Sequence, residues 1–256
     1  MPRYPSSYTS GSQFSFGPGG LSTAIKVLLA INIVAFIVGD YLYRPLQVQL
    51  GLYPLATVTR LQLWRPVTYL FLHADILHIL FNMLALWMFG TELERIWGTR
   101  FFLKFYFIVG VGAAVLTIAV SRIPFGPLQQ LWFSNIIGAS GAIYGLLLAY
   151  ALYFPNRTIY YFIFPLRVRT YVIITGAIAF YASLSANGGG VASATHLGGL
   201  LVAYVYLTSL RKGPRLRLNP WAEVKYRWVK WRLASARKKF DVYSGGRGDD
   251  WNRRIH

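Results

Sequence analysis

The sequence predicts an all-α, polytopic membrane protein, a bundle of six transmembrane helices with both termini in the cytoplasm. Three observations predict it. Hydrophobic residues make up 55% of the 256 positions and charged residues only 13%, and mean hydropathy is +0.43, whereas a soluble domain carries about 25% charged residues. Six apolar runs, 22–43, 75–93, 101–121, 135–154, 169–186 and 191–210, reach or approach the roughly 20 residues a bilayer crossing needs. Lys and Arg then alternate between the links. The 2–3 link carries Arg95, Arg100 and Lys104, and the 4–5 link Arg157, Arg167 and Arg169. The 3–4 link carries Arg122 alone and the 5–6 link none. The positive-inside rule turns that asymmetry into an orientation.

Taken in order, residues 1–20 are rich in Ser, Gly, Pro and Tyr with a single charge, Arg3, and read as a flexible tail. No small-residue cleavage pattern follows the first apolar run, so that run reads as a retained span and not a signal peptide. Residues 44–74 mix Arg44, Arg60 and Arg65 with Leu, Tyr and Trp, too polar to cross and too apolar for water, as in a loop lying in the membrane interface. Its three cations are the one mild exception to the charge rule. Residues 21–210 therefore form the membrane domain. The fifth run is short and a glycine triplet, Gly188–Gly190, follows it, which makes its ends the least sharply defined and the helix a candidate for a movable side entrance.

The net charge of +18 comes largely from the end of the chain, where fourteen of the 26 Lys and Arg lie from Arg211 onward. A basic segment just inside the last span anchors on anionic lipid. Asn219 can cap a helix beginning at Pro220, and Trp221, Val224, Trp228 and Trp231 fall on one face of it. Residues 211–256 thus read as a basic amphipathic cytoplasmic tail partnered by the lipid bilayer and not by nucleic acid. There is no Cys, which removes disulfides, thiolate catalysis and Cys-based metal sites. The reading calls for no metal and no cofactor.

The informative polar residues fall at one level. With both ends inside, the second, fourth and sixth helices run from outside to inside. His78 and Asn82 are about three and seven residues into the second, Ser140 about five into the fourth, and His196 about five into the sixth, all roughly 5–10 Å below the outer surface at 1.5 Å per residue. Ionisable groups at membrane depth are expensive and usually functional. Each residue alone has a plainer explanation. A helical Ser commonly bonds its own backbone, Asn82 could be interhelical glue, and Gly138, Ala142, Gly141 and Gly145 form small-residue pairs that let helices approach. The coincidence of level favours chemistry. His196, Gly199 and Ala203 make a small-residue strip able to press on Gly141 and Gly145, which brings His196 within reach of Ser140. A hydroxyl becomes nucleophilic when a neutral imidazole takes its proton. No acid is at hand to orient that imidazole. Asp40 ends the first helix, Asp75 caps the second, and Glu92 and Glu94 lie at the inner end. The pair is then a dyad, with Tyr144, one turn beyond Ser140, able to stack on His196. Asn82, His78 and the Ser140 backbone N–H can supply the oxyanion donors.

These residues resemble the rhomboid intramembrane serine proteases of the basic six-span bacterial type. Gly138-Ala-Ser140-Gly141 is similar to that family's GxSG motif, Ala194-Thr-His196-Leu-Gly-Gly199 to its sixth-helix histidine segment, and His78-Ile-Leu-Phe-Asn82 to its HxxxN. His73 sits five residues before His78, as in many members, and Trp64-Arg65 matches the Trp-Arg pair of the first long loop. Ala203 stands where the family often has a second glycine. The resemblance covers residues 22–210. It implies Ser140 as nucleophile, His196 as base, Asn82 and His78 as oxyanion donors, and Trp64 and Arg65 as supports of the interfacial loop. An aromatic-cation interface anchor is the plainer role for that last pair. The function it implies is an intramembrane endopeptidase in a bacterial plasma membrane, cutting transmembrane protein substrates near their outer ends. The alternative is a non-catalytic relative that binds membrane helices, although such relatives typically lack the Ser or the His. A transporter would show repeated halves, and no such repeat is visible.

Overall fold

The computed structural model describes residues 19–161, 164–184 and 190–210, together with Trp228. The amphipathic tail expected over 211–256 and nearly all of the 1–20 tail lie outside the described residues. Among the described residues eleven α-helices and one hairpin follow in order: α1 Thr23–Ile37, α2 Pro45–Leu50, α3 Pro54–Thr59, α4 Arg65–Thr68, α5 Ile76–Ala85, α6 Thr91–Trp97, α7 Thr99–Val120, α8 Gly126–Gln129, α9 Ser140–Tyr153, the strands β1 Thr158–Tyr161 and β2 Phe164–Arg167, α10 Val168–Ser183 and α11 Gly190–Leu210. A π-helical turn at Leu86–Gly90 joins α5 to α6 into one rod, and Gly98, at φ 77°, ends that rod and begins α7, a backbone setting that favours glycine. Asp75 caps α5 by accepting from the His78 backbone N–H at 2.8 Å.

Among the described residues three helical rods, Thr23–Leu42, Ile76–Trp97 and Thr99–Val120, are long and apolar enough to cross a membrane, and α9 and α10 are shorter apolar helices. Their outward faces carry large apolar groups, among them Val34, Phe81, Val115, Ile173 and Phe180. Helices apolar on all sides fit hydrocarbon surroundings. The interior gathers Leu28, Leu86, Phe102, Phe105, Tyr106, Val109 and Leu146, all buried.

Two expectations are corrected. The all-α reading misses the antiparallel β1–β2 hairpin, in which Thr158 pairs with Arg167 and Tyr161 with Phe164. The fourth apolar run becomes helical only at Ser140, not near Asn135. Gly138 adopts φ 130°, which no helix accommodates, and Ile136 instead exchanges two 2.8 Å backbone hydrogen bonds with Leu52. The segment 44–74 is accordingly bonded to the segment that delivers Ser140. Asn135 Nδ2 donates to the Gln47 carbonyl (3.0 Å) and Gln47 Nε2 to the His73 carbonyl (3.1 Å).

Polar groups tie the helix ends together. Glu94 is buried and caps α1 from another rod, accepting from the backbone N–H groups of Ala24 (2.9 Å) and Ile25 (3.2 Å) and from the hydroxyls of Ser22 (2.5 Å) and Thr99 (2.7 Å). Glu94→Ala would orphan donors at the start of α1. It is expected to destabilise the fold by about 3 kcal/mol or more, seen as a lower thermal midpoint, with Glu94→Gln falling between. At the end of the same rod Glu92 pairs with Arg157 and accepts from Tyr150 Oη at 2.9 Å, which holds the far end of α9.

Candidate active site

Ser140 is the first residue of α9. The loop ahead of it is held by a Gly138 N–H bond to the Tyr69 carbonyl (2.9 Å). Its backbone N–H lies in the first turn, where the helix supplies no acceptor. His196 comes from α11, and its Nε2 is 2.7 Å from Ser140 Oγ. The approach depends on small residues. A Cβ on Gly199 would overlap the Gly141 carbonyl oxygen, and one on Gly145 would come 3.1 Å from Ala203 Cβ. This is the contact expected between the two strips, and Ala203 fits within it. Tyr144 lies flat on the imidazole, with centroids 4.2 Å apart and planes 6° from parallel. Among the described residues no carboxylate bonds His196.

His78 and Asn82 project from α5. The Ala74 backbone N–H donates to His78 Nδ1 at 3.2 Å, so a neutral His78 carries its proton on Nε2. That nitrogen lies 2.9 Å from where a Cβ on Gly138 would stand, a point itself 3.5 Å from Ser140 Oγ. The Nε2–H therefore borders the space beside the hydroxyl. Asn82 is buried, and one of its amide N–H bonds goes to the His78 carbonyl at 2.9 Å, which commits half of its donor capacity to its own helix.

Trp64 and Arg65 separate in role. Arg65 is buried and donates from Nη1 to the carbonyls of Val48 (2.8 Å) and Gly51 (2.5 Å) and from Nε to Gln62 Oε1 (2.6 Å). It satisfies the carbonyl end of α2, a bracing task suited to a planar guanidinium. Trp64 is exposed, with Nε1 bonded to the Gln49 carbonyl at 3.3 Å. Tyr69 braces the loop ahead of Ser140. Besides receiving the Gly138 N–H, it donates through Oη to the Gly110 carbonyl on α7 at 2.7 Å. Nothing local in the sequence marks it, because both partners are distant along the chain.

His73, just ahead of α5, is 1% exposed and meets His78 edge-on at 5.1 Å. Burial first, and then the neighbouring His78, push its pKa down to about 3. The folded protein keeps it neutral while the unfolded chain protonates it below about pH 6.5. The unfolded state then binds more protons between those values, so stability is full above about pH 6.5 and falls as pH is lowered toward 3. The thermal midpoint should drop through that window, and His73→Asn should reduce the slope.

A family model described as "Rhomboid domain" matches residues 60–213. The chain is 31% identical over 146 residues to "Rhomboid protein 1, mitochondrial" of Saccharomyces cerevisiae, covering 53% of this chain and 38% of that protein. It is 32% identical over 149 residues to "Rhomboid protease GluP" of Bacillus subtilis, covering 57% and 26% respectively. It is 35% identical over 131 residues to "Rhomboid protease GlpG" of Yersinia pestis, covering 50% and 41%. The matched region thus spans well under half the length of each of these relatives.

Proposed function

The chain belongs to the rhomboid family, and from that premise we propose that this multi-pass membrane protein is a serine endopeptidase. It cuts transmembrane segments of other proteins near their outer ends, from a six-span bundle with both termini inside the cell and in the plasma membrane. The observation that carries the reading is the 2.7 Å contact between His196 Nε2 and Ser140 Oγ. His196 takes the hydroxyl proton as Oγ bonds to the scissile carbonyl carbon. It returns that proton to the amine as the C–N bond breaks. A water then attacks the acyl ester, with His196 again as base, and releases Ser140. Charge on the tetrahedral oxygen is met by His78 Nε2–H, the Ser140 backbone N–H and the second N–H of Asn82. Tyr144 stacking does part of the orienting that an acid does in a triad. A substrate helix must unwind to offer a carbonyl, so small or helix-breaking residues near the cut favour cleavage.

The test is proteoliposomes holding the protein and a panel of single-span reporters. The proposal expects cleavage mapped near the outer end of the reporter's span. Binding of reporters without any cleavage would favour the non-catalytic alternative.

A further inference from the structure

A base without an acidic partner must be aimed by other means. Stacking on Tyr144 fixes the plane of the imidazole but leaves α11 free to roll about its own axis. The imidazole is carried about 6 Å from that axis, so a roll of about 10° moves it by about 1 Å. A misplacement of that size is enough to lose most of a catalytic contact. Apolar seams resist such a roll poorly, because lipid tails satisfy apolar side chains as well as a neighbouring helix does.

α11 presents two adjacent stripes to two neighbours. His196, Gly199 and Ala203 face α9, while Thr195, Gly198 and Val202 face α7. A Cβ on Gly198 would come 3.2 Å from the Ala113 carbonyl, and one on Gly112 would come 2.7 Å from Val202. The second stripe contains a polar contact. Thr195 Oγ1 and Thr117 Oγ1 are 3.0 Å apart, and their residues are 2% and 1% exposed. Thr117 donates to the Ala113 carbonyl at 2.8 Å. A hydroxyl has one proton, so Thr195 donates to Thr117. Thr195 Cγ2 also lies 3.2 Å from where a Cβ on Gly141 would stand, so the same side chain touches the helix that bears Ser140.

We propose that Thr195 is a positioning residue: its hydrogen bond to Thr117 sets the roll of α11 and so aims the next residue, His196, at Ser140. The inference rests on the proposed protease reading. Adjacent helical residues point about 100° apart, so fixing Thr195 on α7 fixes His196 on α9. Thr195→Val keeps the shape and removes the bond. It leaves no orphaned donor, since Thr117 retains the Ala113 carbonyl.

The experiment compares wild type, Thr195→Val, Thr195→Ser and Thr117→Val in liposomes, by cleavage of a single-span reporter and by the rate of fluorophosphonate labelling. Thr195→Val and Thr117→Val should each lower kcat and the labelling rate about tenfold with KM unchanged, and Thr195→Ser should restore both. Wild-type rates in Thr195→Val, or a Thr195→Ser variant as slow as Thr195→Val, would overturn the proposal. A variant that fails to fold is replaced by its partner on the other helix, since either valine breaks the same bond. The imidazole 15N resonances of His196, assigned with His196→Gln, give a readout that needs no activity. Thr195→Val should shift them away from the hydrogen-bonded values, and unchanged resonances would overturn the inference. A wild type with no Ser140-dependent labelling but a Thr195-dependent His196 signal would count against the protease reading while leaving Thr195's role intact.

Discussion

Ser140→Ala and His196→Ala are each expected to lower reporter cleavage by about 10⁴-fold or more, with the double variant no slower than either single one. Residues acting as one unit lose their joint contribution when either is removed, and the 2.7 Å contact makes these two a unit. Neither change should unfold the protein. Ser140 and His196 are only partly buried, and the small-residue contacts between α9 and α11 survive both. Thermal midpoints near wild type, together with lost cleavage, would separate chemistry from folding. Additive losses would mean that the two residues act independently.

Gly199→Ala is the second large effect. The added methyl overlaps the Gly141 carbonyl oxygen, and neither backbone can yield without moving its helix. α11 must retreat by on the order of 1 Å, which typically costs about 1–3 kcal/mol in a packed core. The same retreat lengthens the His196–Ser140 contact, so cleavage should fall by about 10²-fold even where the fold persists. Gly176→Ala on α10 is the control. Its methyl meets only Leu200 Cδ1 at 3.4 Å, an ordinary contact, and it should change neither stability nor rate appreciably. Equal behaviour of the two variants in melting and cleavage assays would contradict the close-packing account.

How much of this was legible in the sequence depends on how local each feature is. The strip of His196, Gly199 and Ala203 follows helical spacing, and its contact with Gly141 and Gly145 could be anticipated from small residues at i, i+3 and i+4. The cap at Asp75 was visible for the same reason. The start of α9 was not. Residues 135–139 are uncharged and largely apolar, so hydropathy runs smoothly across a turn that Gly138 makes at φ 130°. The β1–β2 hairpin hid in an aromatic run whose alternation is blurred by consecutive Tyr and Phe. The pairings of Leu52 with Ile136 and of Tyr69 with Gly138 and Gly110 join residues 41 to 84 positions apart, and no periodicity reports them. Thr117 and Thr195 are 78 positions apart. Thr195 in particular was overshadowed by the histidine beside it, although its hydroxyl addresses α7 and the imidazole α9.

The central claim is that His196 makes Ser140 nucleophilic. Its most direct test is intact-mass and peptide-mapped labelling of the full-length protein in lipid with a serine-directed fluorophosphonate. The account predicts a single adduct, on Ser140, that disappears in Ser140→Ala and is strongly slowed in His196→Ala. An adduct on another serine, or labelling of Ser140 at the wild-type rate in His196→Ala, would contradict it.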